Sequence, residues 1–200
     1  MINLPFSSIH ILFILLAYLV GSIPFGLLLL KFSTGEDIRK QGSGNIGTTN
    51  AFRAGGKITG LLTMFCDVAK GALMVCAAGY FFPAQLELAV YAGFFAILGH
   101  MFPIWLKFKG GKGVATTLGV MITLSLPIGL VAIASFITIL LISRIVSLAS
   151  IFAACITTIY SFSLYSQELQ IMMVAINLLI IICHRDNIKR LLHGKEKKFF

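Results

Sequence analysis

The sequence predicts an all-α polytopic membrane helix bundle, and three observations point there. The chain has 200 residues, of which 58% are hydrophobic and 12% charged, about half the charge share a soluble domain carries. Its apolar residues form long continuous runs rather than the short alternating segments of a membrane β-barrel. Fifteen of the sixteen Lys and Arg residues fall in discrete clusters between those runs, the exception being Lys70.

The first run, Ile9–Leu30, has no basic leader and no small-residue cleavage site before or after it. It is therefore expected to be a retained helix rather than a signal peptide. Ile58–Phe82 and Leu86–Leu106 are each of spanning length. Val114–Ser143 is long but interrupted by Pro127, and Leu148–Leu164 and Leu169–Cys183 complete the set. Lys31, Arg39, Lys40, Arg53 and Lys57 follow the first run, and Lys107, Lys109 and Lys112 the third. Arg144 follows the Pro-broken run, and six basic residues from Arg185 to Lys198 follow the last.

Placing every basic cluster inside satisfies the positive-inside rule. The N-terminus is then outside, the C-terminus is cytoplasmic, and the number of crossings is odd. Seven crossings follow if Val114–Ser143 crosses twice, each half having roughly 15 residues and a length of about 22 Å, short but tolerable where the bilayer thins. The net charge of +9 thus serves topology, and nucleic acid is not expected as a partner. The four cysteines lie in or beside apolar runs without metal-ligand spacing and read as packing residues. Residues 1–200 are expected to form a single integral-membrane domain.

The polar segments on the cytoplasmic side carry the chemistry. Gln41–Asn50 contains one apolar residue, Ile46, in ten. Ser43, Gly44, Asn45, Gly47, Thr48, Thr49 and Asn50 offer hydroxyls, amides and permissive backbone that can converge on an anion. Arg53 adds a planar fork suited to phosphate. The ending Gly-Lys-Ser/Thr is missing, so this is not a Walker loop. Phe108–Thr116 places Lys109 and Lys112 among Gly110, Gly111 and Gly113 and opens directly into an apolar helix, whose N-terminus adds partial positive charge.

Asp67 and Lys70 stand three apart within a span and read as a self-neutralising pair beneath the site. His184 and Asn187 share a face if the last helix continues, His184 as phosphate donor or base and Asn187 as an orienting group. Ser147, just past Arg144, is a weaker candidate for the same pocket, with Ser150 beside it. Seven acidic residues without a paired-carboxylate spacing predict no metal, no organic cofactor is signalled, and no G-x-S-x-G elbow is evident. An organophosphate or anion transporter and a headgroup-binding scaffold are the rival readings.

In order and spacing these motifs resemble the bacterial acyl-phosphate:glycerol-3-phosphate acyltransferases, a family of small integral membrane enzymes. The resemblance runs from Gly21-Ser22-Ile23-Pro24 through SGNIGTTN, Arg53, Asp67, Lys70-Gly71, Gly99-His100 and FKGGKGVAT to Ser147-Leu148 and HRDNIKRL. The family's S-G-N-P-G-A-T-N is altered here to Ile46 and Thr48, which loses no anion-binding group. The resemblance implies seven helices and a cytoplasmic-side site in the bacterial inner membrane. It implies acyl transfer from acyl phosphate to the 1-hydroxyl of glycerol 3-phosphate, giving lysophosphatidic acid and phosphate, with no covalent enzyme intermediate. An acyl-phosphate-producing enzyme is then a functional partner.

For that reaction Ser43 through Thr49 are expected to hold the acyl phosphate and Lys112 the leaving phosphate. Arg53, His184 and Asn187 are expected to hold glycerol 3-phosphate, with Ser147 assisting. The proton acceptor is either His184 or a substrate phosphate.

Overall fold

A computed structural model describes residues 7–163 and 165–200, and its described residues fold as nine α-helices and two 3₁₀ turns. The first apolar run is two helices, α1 (Ser8–Gly21) and α2 (Phe25–Thr34). The break falls at Ser22–Pro24, because Pro24 lacks an N–H and disfavours helix in the residue before it. α3 (Thr48–Phe81) is longer than the expected span and begins inside the polar segment. Gly56, at φ +76° and ψ −171°, separates its first two turns from the rest, a conformation that only glycine adopts readily. α4 (Leu86–Met101) is followed by a 3₁₀ turn at Ile104–Leu106.

The Pro-broken run is α5 (Val114–Leu124) and α6 (Leu126–Ser143), hinged at an extended Ser125 with Pro127 in the first turn of α6. α7 (Val146–Ser161) and α8 (Gln167–Cys183) follow, and α9 (Arg185–Leu192) leaves α8 at an angle of 61°. Leu164, the expected end of one span, lies outside the described residues. Among the described residues, Ser8–Thr34, Thr48–Phe81, Leu86–Leu106 and Leu126–Ser143 are each long and apolar enough to cross a membrane, and the bent α8–α9 pair makes a fifth. α5 and α7, at 11 and 16 residues, are shorter than that standard.

α3 packs against α4 and α5, α1 against α4, and α6 against α7. The closest crossings are made by small residues, since membrane helices gain from van der Waals contact rather than from water exclusion. A Cβ on Gly119 of α5 would lie 2.0 Å from the Val68 carbonyl oxygen of α3, and one on Gly21 of α1 would lie 2.1 Å from that of Ala96 on α4. The main core runs through Phe13, Ala17, Met74, Ala92, Ile97, Val120 and Ile176. A smaller cluster of Leu30, Ile38, Ile46, Ala51 and Leu106 clamps the polar 38–51 segment onto α2 and the 104–106 turn. Ile46, the apolar exception in that segment, is its buried anchor. Outward-facing Leu12, Leu15, Leu130, Leu141 and Ile142 are exposed, as a lipid-facing surface requires.

Candidate active site

The two glycine-containing segments meet through one side chain. Asn45 accepts a hydrogen bond from the Gly47 N–H at 2.8 Å and donates to the Gly110 carbonyl at 3.3 Å. Asn50 is a second strut: its carbonyl accepts from the Ser43 N–H, and its amide donates to the carbonyls of Ile38 and Gln41. Both amides therefore shape the loop, and both also line the cavity described below. Both N–H groups of the Asn50 amide are engaged by backbone carbonyls, which leaves that side chain little to offer a ligand.

Gly110 and Gly111 lie against the end of α4. Their N–H groups donate to the carbonyls of Met101 and His100, at 3.1 and 3.0 Å. A Cβ on Gly110 would come within 2.2 Å of the His100 carbonyl, and one on Gly111 within 2.0 Å of the His100 ring. These glycines permit close packing over the end of α4, with their own N–H groups engaged there. Gly44 makes an ordinary turn with its N–H on Gln41, and none of the three lines the cavity described next.

That cavity has a volume of about 570 Å³ and lies between α3, α5, α6 and α7, with α9 at one end. Its polar end gathers Ser43, Asn45, Gly47, Thr48, Thr49, Asn50, Arg53, Lys112, Gly113, Ser147, His184 and Asn187. Twelve of the fifteen expected site residues thus meet in one place. Four helices contribute their N-terminal ends: α3 at Thr48 and Thr49, α5 at Val114 and Ala115, α7 at Val146 and Ser147, and α9 at His184 and Asn187. Each end brings unpaired N–H groups and partial positive charge. The buried hydroxyls of Thr48 and Thr117 have no hydrogen-bond partner among the described residues, a costly state that a ligand would relieve. The other end of the cavity is apolar, with Met64, Leu118, Met121, Ala132, Phe136 and Leu140.

Lys112 donates to the Asn187 carbonyl at 2.5 Å. Burial lowers the Lys112 ammonium to about 8; Arg190 and Arg53 act in the same direction, and Glu196 opposes them. The group is therefore mostly cationic at neutral pH. α9 does not run straight on from α8, because the chain bends at His184. The bend still leaves His184 and Asn187 buried and facing the same cavity. The His184 Nδ1 lies 2.8 Å from the Ile180 carbonyl. A carbonyl only accepts, so Nδ1 carries the proton and Nε2 presents its lone pair. Burial, then the nearby Lys112 charge, lowers His184 to about 4, leaving it neutral over the physiological range.

Of the two serines after Arg144, the structure distinguishes the roles. Ser150 donates back to the Val146 carbonyl of its own helix, whereas Ser147 donates across the cavity end to Glu196 at 2.8 Å. Below the site, Lys70 pairs with Asp67 at 2.8 Å and donates to the Ile23 carbonyl at 3.0 Å. His100 Nδ1 stands 3.4 Å from the same carboxylate. Asp67 and His100 both touch the cavity floor.

Two residues escaped the sequence reading. Arg190 sits three residues after Asn187 on the exposed turn of α9, a helical spacing that was visible but merged with the basic cap. Glu196 receives hydrogen bonds from Asn187 at 2.5 Å and Arg190 at 2.6 Å as well as from Ser147. Its place inside the run Lys195-Glu196-Lys197-Lys198 carries no spacing signal.

A family model described as glycerol-3-phosphate acyltransferase matches residues 11–194. The glycerol-3-phosphate acyltransferase of Bartonella henselae is 48% identical over 191 residues, covering 94% of this chain and 90% of that protein. That of Mesorhizobium japonicum is 45% identical over 188 residues, covering 94% and 95%. The fold is similar to crystal structures of the integral membrane glycerol 3-phosphate acyltransferase PlsY. The glycerol 3-phosphate form gives a TM-score of 0.91 at 40% identity, covering 96% of each chain. The lysophosphatidic acid form gives 0.88 at 38%, covering 96% and 95%. With the match spanning nearly its whole length and the motif residues collected around one cavity, this chain belongs to the glycerol-3-phosphate acyltransferase family.

Proposed function

We propose that this protein is a single-domain, multi-pass enzyme that transfers a fatty acyl group from acyl phosphate to the 1-hydroxyl of glycerol 3-phosphate. The observation that carries the reading is the two-ended cavity. One end is cationic and ringed by helix N-termini; the other is apolar and large enough for part of an acyl chain. A long-chain acyl phosphate has this same division, and glycerol 3-phosphate needs only the polar end.

The unpaired Thr48 hydroxyl and the opening N–H groups of α3 suit the phosphate of the donor, with Ser43 and Thr49 beside them. Lys112, at the mouth of α5, suits the phosphate that leaves. Arg53, Asn187 and Ser147 suit the phosphate and hydroxyls of the acceptor. The 1-hydroxyl oxygen attacks the acyl carbon, the bond from that carbon to the phosphate oxygen breaks, and inorganic phosphate departs. The anhydride supplies its own leaving group, so the protein contributes positioning and charge stabilisation rather than a nucleophile.

His184, held neutral with Nε2 free, accepts a hydrogen bond from the acceptor hydroxyl. As a final proton sink it is poorly matched, being too weak a base at about 4. A phosphate with a second pKa of about 6 is closer to the working pH. The proton therefore passes to substrate phosphate, and His184 orients. The site is taken to face the cytoplasmic side of a bacterial inner membrane, a reading the basic clusters support through the positive-inside rule, with the N-terminus outside and seven crossings if α5, α7 and the α8–α9 pair each count as one. An enzyme that makes acyl phosphate is the required upstream partner.

The test uses purified protein in proteoliposomes with palmitoyl phosphate, labelled glycerol 3-phosphate and EDTA, and follows labelled lysophosphatidic acid. Product formed from acyl phosphate but not from acyl-CoA or acyl carrier protein is expected. No product from any of the three donors, together with counterflow of labelled glycerol 3-phosphate into sealed vesicles, would replace the enzyme with a transporter.

A further inference from the structure

The C-terminal tail is folded back over the polar end of the cavity, and its path is fixed at both ends. α9 stops at Leu192, and Gly194 takes up the left-handed conformation at φ +65°. The Lys195 N–H then donates to the Arg190 carbonyl and the Gly194 N–H to that of Leu191, the paired bonds that close a helix on a C′ glycine and reverse the chain. Farther on, the Phe199 N–H donates to the Arg144 carbonyl at 2.7 Å, and the Phe199 ring meets Phe52 of α3 edge to face, with centroids 5.8 Å apart. Between these anchors Glu196 turns inward, its side chain only 8% exposed.

Glu196 is the only acidic residue after Asp186, and its bonds form one continuous chain with the expected site residues. One oxygen accepts from both Ser147 and Asn187, and the other from Arg190. Because the Asn187 amide nitrogen is held on Glu196, its carbonyl oxygen faces the other way, toward Lys112. A side-chain amide has two nearly isosteric orientations, and only an acceptor on one side selects between them. Without the carboxylate, the Asn187 amide is free to turn its own N–H groups toward the Lys112 ammonium, where donor would face donor.

We infer that Glu196 is a positioning residue for acyl transfer: carried into the cavity by the folded-back tail, its carboxylate sets the Asn187 amide and the Ser147 hydroxyl and, through Asn187, aims the Lys112 ammonium. The inference rests on the acyl-transfer reading above. It has an electrostatic consequence as well. The charged and titratable groups around Lys112 are Arg53 and Asp67 on α3, His100 on α4, Cys183 and His184 at the end of α8, Arg190 on α9, and Glu196 with Lys197 on the tail. Among them Glu196 is the foremost influence holding the ammonium in its charged form against burial and two arginines. Removing its charge moves the Lys112 titration down, toward neutral pH.

The experiment measures kcat/KM for glycerol 3-phosphate from pH 6 to 10 in proteoliposomes with palmitoyl phosphate, comparing wild type, Glu196→Gln and Glu196→Asp. Gln keeps the size and loses the charge, and it sets an amide N–H against Arg190. The expected result is a loss of about ten- to a hundredfold at pH 7, with the alkaline limb shifted down by on the order of one pH unit. Glu196→Asp restores part of the rate and returns the limb toward its wild-type place. A merely structural role would lower the rate without moving the limb.

Should Glu196→Gln fail to fold, judged by its melting temperature in detergent, Phe199→Ala loosens the strap while leaving the carboxylate, and the same downward shift in smaller measure is expected. A wild-type limb and rate in Glu196→Gln overturn the inference while leaving the acyltransferase reading intact. So does a Glu196→Gln enzyme with a lower KM and an unchanged limb, because the tail would then be a plug occupying a phosphate's place. Wild type inactive with every donor defeats the reading on which the inference stands.

Discussion

Lys112 is where charge, position and pH dependence meet, and its replacement has a magnitude that can be worked out. Its ammonium is held by Asn187 at the mouth of α5 and titrates at about 8. Lys112→Met keeps most of the stem and removes the charge. A hydrogen bond to a charged group is worth about 1.5–3 kcal/mol, and a donor aimed at developing charge in a water-poor site about 3–4 kcal/mol. Taking about 3 kcal/mol gives a loss in kcat/KM of roughly a hundredfold at pH 7. The sign with pH follows from the same group. The cation prevails below about 8 and is lost above it, so wild-type kcat/KM should fall about tenfold between pH 8.5 and 9.5. Lys112→Arg supplies a guanidinium that stays charged throughout; it is expected to be slower at pH 7 but to lose the alkaline limb. The assay is initial-rate formation of labelled lysophosphatidic acid in proteoliposomes, corrected at each pH for spontaneous hydrolysis of the acyl phosphate. Lys112→Met retaining a third or more of wild-type kcat/KM, or a limb near pH 8 persisting in Lys112→Arg, would refute the reasoning.

His184→Gln should raise the KM for glycerol 3-phosphate while lowering kcat by less than about tenfold, since the residue orients through Nε2 and the proton goes elsewhere; a thousandfold fall in kcat at unchanged KM would make His184 the base. Asn50→Ala strands the backbone groups of Ser43, Ile38 and Gln41 and should cost on the order of 1–3 kcal/mol, seen as a lower melting temperature in detergent and a higher KM for acyl phosphate. Gly119→Ala drives a Cβ to 2.0 Å from the Val68 carbonyl, whereas Gly79→Ala meets nothing within 4 Å. The first should destabilise by about 1–3 kcal/mol and the second should be neutral or slightly stabilising, measured by thermal melts of both. Ala132→Phe fills the apolar end of the cavity and should shift preference toward shorter acyl phosphates, read from kcat/KM across a chain-length series.

Much of this protein was legible in its sequence because membrane helices announce themselves locally. A run of apolar residues long enough to span, or a proline such as Pro24 or Pro127 that removes a backbone donor, acts on its immediate neighbours whatever the rest of the chain does. The break near Pro127, and Ser43, Thr48, Arg53, Lys112, Ser147, His184 and Asn187 as the important polar residues, were therefore visible in one dimension, whereas the first apolar run read as one helix and is in fact divided at Ser22–Pro24. The family motifs added which reaction those residue types serve.

What the sequence left undecided was how each polar group is used. Asn45 and Asn50 have the same chemistry as an anion-binding amide, and only their neighbours in space make them struts of the loop. Gly110 and Gly111 suggested a flexible cradle, but the carbonyl and the ring of His100 beneath them turn the missing side chains into packing space. Glu196 was hidden among lysines, and its importance arises from a chain reversal at Gly194 that returns it to Asn187 and Ser147. Composition and periodicity depend on short-range sterics and on the solvent around a segment, so the sequence by itself determined the apolar helical runs, the break near Pro127 and the charge of the site. Hydrogen bonds between residues 49 to 75 positions apart depend on how those helices cross, so only the tertiary structure decided which donors are already engaged by the protein.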